Sequence, residues 1–308
     1  MELGSQSRDE VSPCLFKFMS RLSDLFKFSK PKGPGFGLSK SLYISALASK
    51  ASLPCLLDVV NPKGERGAVK GYGIPFNKNA TPDSLRQPLS HEPYLIASPD
   101  KKTLVRMIVV SEADSGMRTD QILDSPYGQT LSPDIRNTIA AVWTLFQFTF
   151  ESHDAGVKAS MDFMVALACR VAELTDGVVA DPLRRSYLMP KEYQLGEFDV
   201  ENHFNVMEHR EGEDVYLVTL GMLKLNLPEF EIGPILNQDL LLGKAILFYL
   251  IRETFEKGPW SDQDRIDRTS LTLSAGSSLH DFWGRTAVLR VVPPVSQSLT
   301  ESLNQWTL

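Results

Sequence analysis

Cysteine is scarce in this chain: three in 308 residues, at Cys14, Cys55 and Cys169. An odd, sparse set builds no disulfide framework, which points to a reducing, cytoplasmic compartment. Long hydrophobic runs are missing as well. The longest apolar stretch, Leu240 to Ile251, is interrupted by Gly243 and Lys244. It falls short of the ~20 residues a membrane span needs and reads as a buried core helix. No secretory signal is expected, because Lys17, Arg21, Asp24 and Lys27 break the apolar residues between 15 and 28. Positive charge is in deficit, with 32 basic against 38 acidic residues and a net charge of −6. That balance argues against a nucleic-acid partner. The Gly-x-Ser-x-Gly elbow, the P-loop and the Gly-x-Gly-x-x-Gly fingerprint are all absent.

What is present is ordinary globular composition, 43% hydrophobic and 23% charged. The chain is long enough to bury a large core without a metal or disulfide staple, and no cofactor is expected. Ser12 and Pro13 make a helix start. Leu15, Phe18, Met19, Leu22, Leu25 and Phe26 then recur at helical spacing, with Lys17, Ser20, Arg21, Asp24 and Lys27 on the opposite face. Residues 31–37 are rich in proline and glycine and read as a linker. The expected organisation is therefore an amphipathic helix and linker over 1–38, a loop-rich β-containing region over 39–125, and an α+β domain over 126–308.

Leu104 to Val110 predicts a strand, Ser132-Pro133-Asp134 a helix start, and the alternation of Phe146, Phe148 and Phe150 another strand. A helix follows from Val157, ending at Asp176-Gly177, and then a short strand over 178–180. Phe198, Val200, Phe204 and Val206 suggest one strand face, returning through a turn at Glu211-Gly212. Asn237 is expected to cap a helix reaching Lys257. This order predicts an α+β fold, a mixed or antiparallel sheet with helices packed on one face and the amphipathic helix preceding it.

Two stretches carry a resemblance. One is Ala-Glu-Leu-Thr-Asp-Gly-Val-Val-Ala-Asp-Pro at 172–182, followed by Met189-Pro190-Lys191-Glu192. The other is Thr-Leu-Gly-Met-Leu-Lys-Leu-Asn-Leu-Pro-Glu-Phe-Glu at 219–231. Over residues 140–292 the chain resembles uncharacterised bacterial domains of unknown function. The resemblance implies an α+β fold and brings no activity with it.

Several residues are candidates for chemistry. Ser152-His153-Asp154 spells the triad residues in a row, although a triad needs side chains converging from separate places. His280-Asp281 matches two residues of metal phosphohydrolase wording. His153 and His280 are thus the candidate catalytic residues. Glu201, His203 and His209 are candidate metal ligands, since Glu201 and His203 would share a strand face; the competing reading is a solvated acidic hairpin. Asp262, Asp264 and Asp267 lack the glycine and glutamate of a calcium loop. The basic loop Gly67 to Gly73 lacks a P-loop ending.

The charge is unevenly spread. Residues 11–32 carry +4 and the remainder −10. This contrast favours a non-enzymatic protein-binding module, with Phe18, Leu22, Phe26, Lys17 and Arg21 as contact residues. The alternatives are a metal-dependent hydrolase-type enzyme and a peripheral protein held on an anionic membrane surface by residues 12–28.

Overall fold

The apolar run after residue 42 forms strand β1 (Tyr43–Ala48), and five of its six residues are buried. Such a strand needs cover on both faces and a neighbour on each side, and it has both. It lies inside a seven-stranded sheet with β2 (Ile74–Pro75), β3 (Pro93–Ala97), β4 (Leu104–Ser111), β5 (Thr144–Ser152), β6 (Val178–Asp181) and β7 (Ser186–Leu188). The order is β2-β3-β4-β5-β1-β6-β7, and every neighbouring pair is antiparallel. A five-stranded sheet follows, built from β8 (Asn205–Glu211), β9 (Asp214–Leu220), β10 (Glu229–Ile235), β11 (Thr272–Ala275) and β12 (Val288–Val292). Its order is β11-β12-β10-β9-β8, antiparallel except for the β10–β12 pair.

These features come from a computed structural model that describes residues 34–60, 73–76, 81, 83–194, 196–267 and 269–304. The amphipathic helix expected over 12–28 and most of the basic loop 67–73 lie outside the described residues. Among those described, no helix is long and apolar enough to cross a membrane.

The helices of more than one turn are α1 (Leu56–Val60), α2 (Thr119–Asp124), α3 (Pro126–Thr130), α4 (Pro133–Ala140), α5 (Lys158–Leu174), α6 (Leu240–Lys257) and α7 (Leu299–Asn304). The start of α4 is as expected: Pro133 sits in the first turn and the Ser132 hydroxyl accepts from the Ile135 N–H at 3.4 Å. Asn237 does not cap α6. It opens a 3-10 turn (Asn237–Asp239), and its Oδ1 accepts from Arg210 instead.

The α+β class holds, but two sheets replace the single one expected, and the larger is covered on both faces. Ala46, Ala48, Phe146 and Phe148 pack with α5 in a continuous core that also takes in α6 and the inner face of the smaller sheet. Full burial of a phenylalanine such as Phe146 or Phe148 contributes ~1.5–3 kcal/mol. On the other face Leu47, Val178 and Ala180 meet Ile135 and Ile139 of α4. Strands that are apolar at consecutive positions leave no polar face to expose, so helices on one side are not enough.

β1 pairs with β5 and β6, so residues 39–125 and 126–308 share one sheet, and the described residues belong to one compact unit. The body also begins before residue 39. Phe36 meets Phe255 edge-on at 5.6 Å, and Leu38 is buried in the core.

At the end of α5 the left-handed residue is Asp176 (φ 49°), and the Gly177 N–H donates back to the Ala172 carbonyl at 2.7 Å. Gly177 is needed for a different reason: a Cβ there would sit 2.3 Å from the carbonyl oxygen of Leu47, next to last in β1. Gly177→Ala is therefore expected to cost ~1–3 kcal/mol, read as a lower denaturant midpoint. An unchanged midpoint would show that β1 yields at no cost.

Candidate functional site

The two stretches with a familiar wording meet in space. Asp181 ends β6 in the larger sheet, and Lys224 lies in the 3-10 turn (Met222–Leu225) between β9 and β10. Both side chains are 1% exposed. The Lys224 ammonium donates to Asp181 Oδ2 and, at 2.5 Å, to the His203 carbonyl. Burial pushes the Lys224 pKa down, and the Asp181 charge opposes that shift. The second Asp181 oxygen accepts the Arg184 N–H at 3.1 Å. The Arg184 side chain reaches the Phe204 carbonyl at 3.2 Å and the Glu201 carbonyl at 2.7 Å. Ser39 N–H donates to the Lys224 carbonyl at 2.7 Å. The ion pair thus ties the β6–β7 hairpin, the approach to β8 and the β9–β10 turn, and the Lys224 backbone adds the chain entering β1.

His203 stands beside it. The helical turn Val200–His203 begins where the Asp199 carboxylate accepts the Glu201 N–H at 3.0 Å. This cap winds the backbone and turns His203 inward, to 1% exposure. Its Nε2 lies 2.7 Å from Asp162 Oδ1 on α5, and Phe198 stacks on its ring at 5.1 Å. Burial lowers the imidazole pKa, favouring the neutral ring, whose Nε2–H faces Asp162. Nearby, the Tyr193 hydroxyl is buried, with the Arg184 guanidinium as its charged neighbour. Desolvation drives the Tyr193 phenol well above its ordinary pKa.

Two carboxylates on β10 are also inside. Glu229 is 1% exposed and accepts from Gly221 N–H at 2.9 Å, Leu223 N–H at 3.3 Å and the Thr219 hydroxyl at 2.7 Å. Burial raises its pKa to about 7 despite these donors. Glu231 is fully buried and accepts from Trp283 Nε1 and Ser278 N–H, each at 2.8 Å, and from the Ser277 hydroxyl. The junction keeps protons and charge in the interior. Its lysine and histidine present no reactive atom to solvent, and Asp162 is the member that reaches the surface, at 32% exposure.

The candidates read from the sequence fall elsewhere. His153 Nδ1 is 3.0 Å from the Asp154 backbone carbonyl, not from its carboxylate. Asp154 instead accepts from Gly156 N–H at 3.2 Å and faces Lys102 at 3.5 Å, while the Ser152 hydroxyl has no partner. The three consecutive residues diverge and form no triad. His280 is exposed at the start of a single helical turn (His280–Trp283), with Asp281 exposed beside it.

The metal set does not assemble. Glu201 is exposed and pairs with Arg252 at 3.3 Å, His203 is inside, and His209 packs on Phe282 at 4.6 Å. The shared strand face does not exist, because Asp199 starts a helical turn there. Among the described residues, no three His, Cys, Asp or Glu side chains are grouped to hold a metal ion. Asp262 and Asp264 accept backbone N–H groups and Asp267 pairs with Lys257, as fits a charged loop. Lys17, Phe18, Arg21, Leu22 and Phe26 lie outside the described residues.

Asp162, Asp181, Tyr193, Lys224, Glu229 and Glu231 were not singled out by motif. A signal existed in the charge placement. Lys224 is flanked by leucines, Asp181 follows Val-Val-Ala, and Glu229 and Glu231 bracket Phe230. A charge inside an apolar run must be paired if that run is buried. Compared with known proteins, the chain matches no family model, no curated protein and no solved structure.

Proposed function

We propose that this protein works by binding another protein through residues 12–28. The observation that supports this reading is the helical period of Leu15, Phe18, Leu22 and Phe26 opposite a basic face, on a chain whose other residues carry −10. Phe18, Leu22 and Phe26 act as the apolar anchors, with Lys17 and Arg21 at the rim, where charge sets on-rate and register more than affinity. The geometry of the body is compatible with a binding role. Its buried lysine, histidine and glutamates are engaged within the chain rather than turned toward a substrate.

In the full-length chain, Phe18→Glu with Leu22→Glu is expected to weaken partner binding at least tenfold, about 1.4 kcal/mol or more. Titration of the captured and purified partner checks this, with Tm of the two proteins as a control for folding. Equal affinity would remove residues 12–28 from the contact. Flotation of the wild-type chain with anionic vesicles, lost in high salt, would favour the membrane reading instead.

A further inference from the structure

The two ends of the smaller sheet differ. At β11 the Leu273 carbonyl accepts from the Gln263 N–H and its N–H donates to the Asp264 carbonyl, each at 2.9 Å, so the preceding loop covers that edge. The opposite end strand is β8, and among the described residues it pairs with β9 alone. Its hairpin turns at Gly212-Glu213, and a two-residue turn closes on a hydrogen-bonded pair, here Glu211 with Asp214. Backbone bonding then alternates along the strand. Asn205, Met207, His209 and Glu211 bond to β9, and the N–H and C=O of Val206, Glu208 and Arg210 point away from the sheet. Arg184 closes the edge just before this stretch, at the Phe204 carbonyl.

Unpaired backbone of this kind is a template for another strand. Charges on an edge normally discourage such pairing, but here the two signs are spaced so that a second copy complements them. Glu208 and Arg210 share one face of β8, with side chains 35% and 52% exposed. Beside the strand's start, the β6–β7 turn carries Arg184 and the exposed Arg185. At its end the hairpin carries Glu211, Glu213 and Asp214, all exposed. The edge thus runs from positive to negative, and a second copy laid antiparallel sets opposite charges side by side at both ends. Register follows from the same alternation. Outward-pointing residues must face each other, so Glu208 can meet Val206, Glu208, Arg210 or Gly212 of the second copy. The Arg210 register alone joins opposite charges, and two-fold symmetry makes that pair twice, with His209 on the axis. We propose that this chain forms a two-fold dimer through its β8 edges, joining two five-stranded sheets into one continuous sheet. Glu208 then lies between its own Lys244, at 2.9 Å, and Arg210 of the second copy.

Sedimentation equilibrium of the full-length protein tests this. A contact of this size is small, so wild type is expected to dimerise with a Kd of about 10–100 µM. Arg210→Glu and Glu208→Arg each set like charges opposite one another, and each is expected to weaken self-association about tenfold or more. An equimolar mixture of the two variants restores opposite charges in a mixed dimer, and its affinity is expected to return to within a few-fold of wild type. Glu208→Pro removes an outward N–H and leaves the β9 ladder intact, so it is expected to abolish the dimer with little change in Tm. That variant keeps the test open should a charge reversal disturb the packing around Lys244. A wild type still monomeric at about 300 µM, a dimer indifferent to Glu208→Pro, or a mixture no tighter than the single variants would overturn the proposal.

Discussion

Replacing Lys224 with methionine is expected to destabilise the protein by ~3–5 kcal/mol, because it leaves the Asp181 carboxylate buried without its counter-charge. For a chain of this size that is a fall of roughly 10 °C in Tm. The cost is mostly that of the stranded charge, not the value of the ion pair. A buried pair gains Coulomb energy but gives up the hydration of both ions, and the two nearly cancel. The double variant Lys224→Met with Asp181→Asn is therefore expected to recover more than half of the loss. Asparagine keeps an acceptor for the Arg184 N–H, and no uncompensated charge remains inside. The His203 carbonyl still loses its donor, so recovery stays incomplete. A single variant costing under ~1 kcal/mol would mean that the junction of the two sheets does not depend on this pair.

The second large effect is a stability that falls as pH rises. Glu229 has a folded pKa of about 7 against an ordinary value of 4.5. Between those values the folded state holds a proton that the unfolded chain releases. The stabilisation is complete below pH 4.5, is lost progressively up to about 7, and is level above that. The span corresponds to ~3 kcal/mol. Glu229→Gln is expected to abolish this step and retain the fold. Its amide oxygen can accept from Gly221 and Leu223, and its amide nitrogen can donate to the Thr219 hydroxyl, which turns toward the Phe230 carbonyl 3.4 Å away. His203 acts oppositely: burial lowers its pKa, so its contribution is lost as pH falls below its ordinary 6.5. The difference between wild type and Glu229→Gln at each pH cancels that term. Denaturant unfolding at pH 5 and pH 8 reads it directly, and a pH-independent difference would contradict the buried ionisation.

Local structure was legible in the sequence wherever one residue type dictates one backbone event. Ser132 and Pro133 begin α4, the Phe146–Phe148 alternation is β5, and Gly212 (φ 63°) makes the turn of the β8–β9 hairpin. What failed was of two kinds. At 198–206 the apolar alternation suggested a strand, but a single side-chain cap from Asp199 outweighed it and reversed the direction of His203. The pairing of β1 with β5 and β6 joins residues far apart in the chain, and no local pattern encodes which strands become neighbours. The junction combines both difficulties. Lys224 and Asp181 are each visible as a charge in an apolar run, but their partnership is a product of the sheet order. The two quoted stretches became a site only when β6 and the β9–β10 turn were placed side by side.

If residues 12–28 recognise a partner, replacing their apolar side chains must weaken the complex. Full-length wild type and the full-length Phe18→Glu, Leu22→Glu chain are titrated against the same purified partner under matched salt, with Tm measured for both. Recognition through these side chains predicts an affinity at least tenfold weaker for the variant and an unchanged Tm. Equal affinities would contradict it. So would a variant with a lowered Tm, which would place those side chains in the fold rather than in recognition.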